Sequence, residues 1–202
     1  MNSKKKSYLN LEKQDLDRKR FKKVFQDQKV AKQTKPWVDD FFPPNENSLL
    51  GRKKTGEYLD PNEVKMIGPL MNPKGIEWKR AKDIVKDPML FGDKISVESL
   101  RLGEIANTYY LSALSALSQY PNLINQIFIT KKKNQECVYQ VSHFIDGEFQ
   151  IVYIDDFVPV LKGTSTPFFT KTTSFEIWGL LLEKAWAKVN GWLFKYCNLF
   201  NI

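Results

Sequence analysis

The stretch SFEIWGLLLEKAWAKVNG, residues 174–191, decides the fold, because it is a strong amphipathic helix pattern near the end of the chain. Ser174 is predicted as the N-cap with Glu176 in the first turn, and Gly191 as the C-cap. Apolar residues recur on one side at helical spacing. They form the predicted buried face: Trp178, Leu181, Leu182, Ala185, Trp186 and Val189. We therefore expect this helix to lie in the core.

The clearest β signal precedes that helix, in ECVYQVSHFIDGEFQIVYIDDFVPVL, residues 136–161. Two β-rich runs flank Asp146-Gly147, a two-residue turn of the kind that needs positive φ. Alternation predicts the residues that share a face on each strand. These are Tyr139, Val141, His143 and Ile145 on the first strand, and Phe149, Ile151 and Tyr153 on the second. The pattern predicts a hairpin, with a third short strand over 157–161.

A second helix is predicted in RLGEIANTYYLSALSAL, residues 101–117, where Leu111, Leu114 and Leu117 recur at spacing three from Thr108 onward. Pro121 ends it. Residues 76–91 are predicted as a short helix or turn, and residues 37–77 as an irregular segment that wraps over the body. The apolar anchors of that segment are Phe41, Phe42, Leu49 and Leu50. Together these elements predict an α+β fold in one body, residues 37–202.

The positive charge of the chain lies in a head segment, residues 1–36. This head holds 12 Lys and Arg against 4 Asp and Glu, whereas residues 37–202 hold 19 of each, so the whole net charge of +8 belongs to the head. Residues 10–32 lack Pro and Gly and favour a helix that needs a partner for stability. A basic head on a neutral body indicates docking on an acidic surface. The alternative is a solvated or disordered Lys-rich tail.

Eight basic residues of the head are predicted to contact that partner: Lys4, Lys5, Lys6, Arg18, Lys19, Arg20, Lys22 and Lys23. The head lacks the interleaved aromatics of a single-strand nucleic-acid binder. No apolar run is long enough to span a membrane, and the N-terminus has no signal-peptide core. Two Cys without a CxxC spacing favour a reducing compartment.

Few residues could carry chemistry. Thr108 at a loop–helix junction would need a general base, and the sole histidine, His143, is better explained as a packed strand residue. Cys137 and Cys197 are interpreted as small buried residues. One His and two distant Cys cannot make a zinc site, and no phosphate-binding loop is present. Asp155 and Asp156 are neighbours on a strand and should point to opposite faces.

Several stretches nevertheless resemble the core of calpain cysteine proteases, in particular its first subdomain, over about residues 37–193. DDFFPPNENSL at 39–49 is similar to the entry motif of that family, and EWKRAKDIVKDPMLF at 77–91 to its Trp-Lys-Arg-Pro segment, with Ala81 in place of the Pro. YYLSALSALSQYPNLI at 109–124 resembles the nucleophile helix. The hairpin and FEIWGLLLEKAWAKVNG at 175–191 match as well, the latter most specifically. The resemblance implies a papain-like protease-core subdomain.

The same resemblance implies that the catalytic residues are lost. Thr108 stands where the family has its catalytic Cys, and Leu102 stands where it has the Gln of the oxyanion hole. Ala106 and Asn107 replace the Gly-Asp that precedes the nucleophile. The catalytic His and Asn of the family belong to a second subdomain, which we expect to lie outside this sequence. His143 does not correspond to the family His. We therefore expect no protease activity and no cofactor.

The family's first subdomain also binds calcium. Glu183 matches an acidic position that can act as a ligand, but the partner Asp falls at Ser99, beside Glu98. One carboxylate without a sure partner is a weak site for a hard cation. We expect no metal here, and expect Glu183 to be an acid on the helix surface.

The interpretation from sequence is a calpain-like pseudoenzyme that acts as a structural and interaction module in a larger assembly. Protein partners are expected, with an acidic filament such as the microtubule foremost, in the cytoplasm at the cytoskeleton or the ciliary axoneme. The choice of a cytoskeletal or ciliary partner rests on analogy with other calpain-like domains. Two alternatives stay open: half of a split protease completed in trans by a second chain, and an RNA- or ribosome-associated protein bound through its basic head.

Overall fold

A computed structural model of the chain describes residues 36–51, 75–93, 95–104, 108–145, 147–191 and 193. The eight head residues predicted to contact a partner, and Cys197, lie outside these ranges. The described helices are α1 Glu46–Leu50, α2 Ala81–Ile84, α3 Thr108–Ser118, α4 Pro121–Ile127 and α5 Trp178–Asn190. The strands are β1 Ile76–Arg80, β2 Leu100–Arg101, β3 Val138–Ile145, β4 Glu148–Asp155, β5 Phe157–Leu161 and β6 Lys171–Thr172. This mixture confirms the α+β class.

Helix α5 is the centre of the core. Trp178, Leu181 and Ala185 are fully buried in it, and charged residues on its other sides are buried too. Gly191 caps its C-terminus with φ of 108°, as predicted. The predicted N-cap is wrong: Ile177 precedes the helix, while the Ser174 hydroxyl accepts the backbone N–H of Glu176 in the turn before it. Helix α5 is therefore a buried helix rather than an amphipathic surface one.

The predicted hairpin is confirmed as antiparallel strands β3 and β4, joined at Gly147 with φ of 88°. Tyr139 pairs with Ile154 and Val141 with Val152, and these four side chains face the core. On the opposite face, Val138 and Tyr153 pack with Ile151 and Trp37.

The third predicted strand, β5, is also confirmed, but it pairs with β1 rather than with the hairpin. The antiparallel register runs from Ile76 opposite Leu161 to Arg80 opposite Phe157. The prediction of a helix or turn over 76–91 is wrong for its first five residues, because this long-range pairing overrides local preference. Only the single turn of α2 is helical there. In the described part of the chain, β2 and β6 form a further two-stranded pair.

Helix α3 confirms the second predicted helix and ends at Ser118. Leu114 is buried, and Leu111 and Leu117 pack against the core from partly buried positions. Pro121 does more than follow the end of α3, since it is the first residue of α4, where its missing N–H is not needed. None of the described helices is long and apolar enough to cross a membrane.

The predicted wrapping segment holds the short helix α1 but is otherwise irregular where described. Phe42, Leu49 and Leu50 are buried, and Phe41 is half-buried. The three buried side chains form a second apolar cluster with Phe168, Phe169, Ala187 and Leu193. The segment is therefore anchored to α5 as expected.

A buried charge network ties this segment to the hairpin and to α5. Lys184 forms an ion pair with Asp155, and Lys188 forms one with Asp39 at 2.9 Å. Asp155 also accepts the backbone N–H of Asp39 at 2.8 Å and that of Phe157 at 2.9 Å. Both aspartates are fully buried, so each carboxylate depends on these partners for its stability in the core.

Candidate functional site

A groove of about 560 Å³ runs between β2 and helix α3. One wall comes from the chain around β2 and the other from the exposed side of α3. The residues that line it are Val97, Leu100, Arg101, Leu102, Thr108, Leu111, Ser112, Ser115, Ala116 and Gln119. The groove brings together Thr108 and Leu102, the two positions that sequence reasoning singled out.

The β2 wall is held in place by a close backbone approach at Gly103. A Cβ atom built there would overlap the carbonyl oxygens of Phe168 and Phe169. The next residue, Glu104, donates its N–H to Phe168 O at 2.9 Å. Because a side chain at Gly103 cannot be accommodated, glycine fixes how close this loop lies to the body, and so fixes Leu102 at the groove.

Thr108 is the first residue of α3 and is exposed. Leu102 is 46 % exposed and offers an apolar surface. The Arg101 guanidinium is engaged with its own segment, donating to the backbone oxygens of Glu98 at 2.8 Å and Leu100 at 2.7 Å. Among the described residues that line the groove, none is a His, Cys, Asp or Glu. Its polar groups are hydroxyls, one amide and one guanidinium.

His143 lies in strand β3, partly buried, and is not among the residues that line the groove. Its ring stacks on Trp186 at 6.2 Å between centroids, and Trp186 stacks in turn on Tyr110 at 6.3 Å. Nδ1 is buried without a hydrogen-bond partner among the described residues. Burial lowers the pKa of His143 to about 4, so the ring is neutral near pH 7. This geometry agrees with a packed strand histidine, as predicted.

Cys137 precedes β3 in the left-handed region, with φ of 54°. It is half-buried rather than fully buried as predicted, and its thiol is free. Burial is the main cause that raises its pKa to about 11, with the charge of Asp156 adding to the rise. The thiol is therefore protonated at neutral pH and is a poor nucleophile.

The two neighbouring aspartates do point apart, as predicted. Asp155 pairs with Lys184, whereas Asp156 accepts from Arg80 Nη1 at 2.6 Å. Arg80 Nη2 also donates to Trp37 O at 2.7 Å. Each carboxylate thus has its own basic partner and a structural role.

Glu183 is not the surface acid that sequence reasoning expected. It is 4 % exposed, and its two carboxylate oxygens accept the N–H and the hydroxyl of Thr170, each at 2.9 Å. Helical spacing predicted an exposed position for Glu183, but α5 is also buried on the side that carries its charged residues.

The residues do not fit the calcium site that the resemblance implies. Ser99, at the position of the partner Asp, is buried, and its hydroxyl lies within hydrogen-bond distance of two acceptors, Ser96 O at 2.9 Å and Glu176 Oε2 at 3.2 Å. Glu98 is exposed. Over the described ranges no group of three or more His, Cys, Asp or Glu side chains is arranged to hold a metal ion. Calcium prefers six to eight oxygen ligands, which this set does not offer.

Sequence reasoning missed the roles of Asp39, Lys184 and Lys188, which hold the wrapping segment on α5. A signal was present: two lysines spaced by four residues lie inside the apolar helix pattern, and YIDDF and the upstream stretch VDDFF each hold a pair of aspartates. Lysines on the core side of a helix require buried acidic partners.

The chain matches the family described as "Calpain family cysteine protease" over residues 37–199. It is 31 % identical over 175 residues to the calpain-type cysteine protease DEK1 of Zea mays, covering 84 % of this chain and 8 % of the relative. It is 31 % identical over 156 residues to the calpain-1 catalytic subunit of Rattus norvegicus, covering 76 % of this chain and 20 % of the relative. The chain therefore spans at most a fifth of the length of these relatives.

Proposed function

This chain belongs to the calpain family of cysteine proteases, and we propose that its groove at Thr108 is catalytically silent and that the folded body acts as a structural and binding module. The observation that carries this proposal is the groove itself. Its lining includes Thr108, the first residue of α3, and the apolar side chain of Leu102.

The side chains of this groove support its lack of catalytic activity. The resemblance places Thr108 at the position of the catalytic Cys, and a Thr hydroxyl attacks a carbonyl only when a base removes its proton. No imidazole or carboxylate belongs to the described lining, and the ring of His143, outside that lining, stacks on Trp186. Leu102, at the position of the oxyanion-hole Gln, carries no amide donor. Loss of one such donor typically costs on the order of a hundredfold in rate.

Hydrolysis of fluorogenic peptides by the purified chain, with and without calcium, tests the catalytic part. We expect turnover at the buffer background in the wild type and in Thr108→Ala alike. Turnover that Thr108→Ala abolishes would overturn the proposal and favour a working or split enzyme. Turnover that survives the substitution comes from a contaminating protease. That protease is removed by further purification, and the comparison is then repeated.

The binding part of the proposal rests on charge. The head carries the entire net charge of +8 and the body is balanced, so an acidic surface is the partner that the chain attracts. We propose an acidic protein filament such as the microtubule, in the cytoplasm or the ciliary axoneme, as that partner.

Co-sedimentation with stabilised microtubules at increasing salt tests this partner. Binding should be present at low ionic strength and should fall steeply toward physiological salt and beyond, because exposed charges are screened within about 8 Å at 0.15 M. The matched control is a chain that lacks residues 1–35, which should stay in the supernatant. Equal sedimentation of both chains would contradict docking through the head. Sedimentation that appears only when RNA is added would favour the RNA-associated alternative.

A further inference from the structure

A loop with three consecutive lysines lies between α4 and β3. Lys131, Lys132 and Lys133 are all exposed. Residues 37–202 as a whole hold equal numbers of basic and acidic residues, so this loop is a local concentration of positive charge on a body without net charge. Exposed Lys runs are ordinarily only solvated. Two further observations separate this loop from that ordinary case: its rigidity and its position.

The loop is held at both ends by hydrogen bonds. On its C-terminal side, the Asn134 side chain donates to Val138 O at 2.7 Å and accepts Val138 N–H at 3.0 Å. On its N-terminal side, Gln140 donates its N–H to Thr130 Oγ1 at 3.0 Å. Lys131 Nζ itself donates to Asn125 O and Oδ1, at 2.5 and 2.9 Å. A backbone fixed in this way presents its charges without a large ordering cost on binding.

The loop also lies where the basic head joins the body. Trp37 donates its backbone N–H to Glu136 O at 2.8 Å, and its ring packs with Val138 and Tyr153. Lys133 is three residues from Glu136 along the chain, so their Cα atoms are at most about 11 Å apart. That distance is close to the screening length of about 8 Å at physiological salt. The three lysines are therefore close to Trp37, the residue at which the body follows the head in the chain.

We propose that Lys131, Lys132 and Lys133 form a fixed docking point on the body for the same acidic protein surface that the head engages. This inference rests on the proposed function, since it assigns part of the partner surface to the folded body. Carboxylates are favoured over nucleic acid because TKKKNQE, residues 130–136, contains no aromatic side chain on which a base could stack and no Arg fork for phosphate.

Binding of the full chain to fluorescently labelled poly-L-glutamate, measured by anisotropy at several salt concentrations, tests the proposal. The test variant carries Lys131→Gln, Lys132→Gln and Lys133→Gln. The control variant removes the same charge from three other exposed lysines, through Lys82→Gln, Lys86→Gln and Lys162→Gln. We expect the test variant to bind about tenfold more weakly with a shallower salt dependence, and the control to bind within about twofold of wild type.

The outcomes separate the two proposals. If the wild type does not bind, docking through the head fails and this inference fails with it. If the wild type binds and both triple variants weaken equally, the general charge matters and the loop has no special role, which overturns this inference alone. If the test variant loses binding to a labelled RNA but keeps binding to poly-L-glutamate, the loop is a nucleic-acid contact instead. Thermal melting by circular dichroism, unchanged in both variants, shows that folding is intact.

Discussion

Replacement of Asp155 by Asn should destabilise the protein strongly, because three donors converge on its carboxylate. Oδ1 accepts from Lys184 Nζ and from Phe157 N–H, and Oδ2 accepts from Asp39 N–H. The amide of Asn has one acceptor oxygen, so its NH₂ group must face at least one of these donors. Lys184, with a side chain only 3 % exposed, would also lose its ion-pair partner.

The magnitude follows from the burial of this pair. Removing one partner of a buried ion pair costs about 3–5 kcal/mol, because the remaining charge stays uncompensated. For a protein of this size, about 2–4 °C of melting temperature correspond to each kcal/mol, so Asp155→Asn should lower Tm by roughly 6–20 °C. The surface pair between Lys171 and Glu104, with side chains 28 % and 46 % exposed, provides the matched control. Glu104→Gln should cost about 1 kcal/mol or less.

Urea unfolding followed by tryptophan fluorescence measures both variants. A loss below about 1 kcal/mol in Asp155→Asn, at an unchanged m-value, would refute the buried-pair reasoning. A double variant, Asp155→Asn with Lys184→Met, tests the cause: without the unpaired ammonium it should recover at least about 1 kcal/mol relative to Asp155→Asn. No recovery would mean that the lost backbone hydrogen bonds, rather than the stranded charge, carry the cost.

Three further predictions concern glycine packing and two titrating groups. Gly103→Ala should lower the free energy of unfolding, measured in urea, by about 3 kcal/mol or more, since its Cβ would overlap the Phe169 carbonyl. Gly75→Ala, with open space around it, should change the free energy of unfolding by about 0.5 kcal/mol or less. Equal effects of the two substitutions would contradict the close approach at Gly103. Burial lowers the pKa of His143 to about 4, against 6.5 in the unfolded chain, so the unfolded chain binds more protons between these pH values. The free energy of unfolding should therefore fall by about 2 kcal/mol as pH drops from 7.5 to 5. His143→Leu should flatten this pH dependence, and an unchanged slope in that variant would refute its attribution to His143. The pKa of the Cys137 thiol is raised to about 11 from 9.0, so the thiol should react with iodoacetamide at pH 8 about a hundredfold more slowly in the native protein than in urea. Peptide mapping of the labelled site measures the ratio of the two rates. Comparable rates would contradict the argument that burial raises this pKa.

Local patterns predicted the parts of the fold that local forces determine. The hairpin turn at Gly147 and the Gly191 cap follow from glycines, which tolerate positive φ. Helix α3 follows from apolar spacing, and so does the general position of α5. The position of Thr108 at the start of α3 was also predicted, because the residues beside a helix end indicate where the helix begins.

Long-range pairing was beyond the reach of those patterns. Strand β1 exists because Ile76–Arg80 meets β5 some eighty residues later, and nothing in its own sequence separates a strand from a turn. Glu183 was misplaced because amphipathic spacing assumes that a charged side faces water, whereas α5 satisfies its charges inside the core. The β2 wall of the groove depends on the contact of Gly103 with Phe168 and Phe169, which only the assembled fold brings together.

The measurement that tests the central claim most directly is covalent labelling at residue 108. The native chain is incubated with a fluorophosphonate probe, which reacts with activated hydroxyl nucleophiles, and the peptide that contains Thr108 is examined by mass spectrometry. Because the described lining of the groove offers Thr108 no base, we expect this peptide to stay unmodified, as it does in a urea-unfolded sample. Stoichiometric modification of Thr108 in the native chain, absent after unfolding, would contradict the account and identify an activated nucleophile.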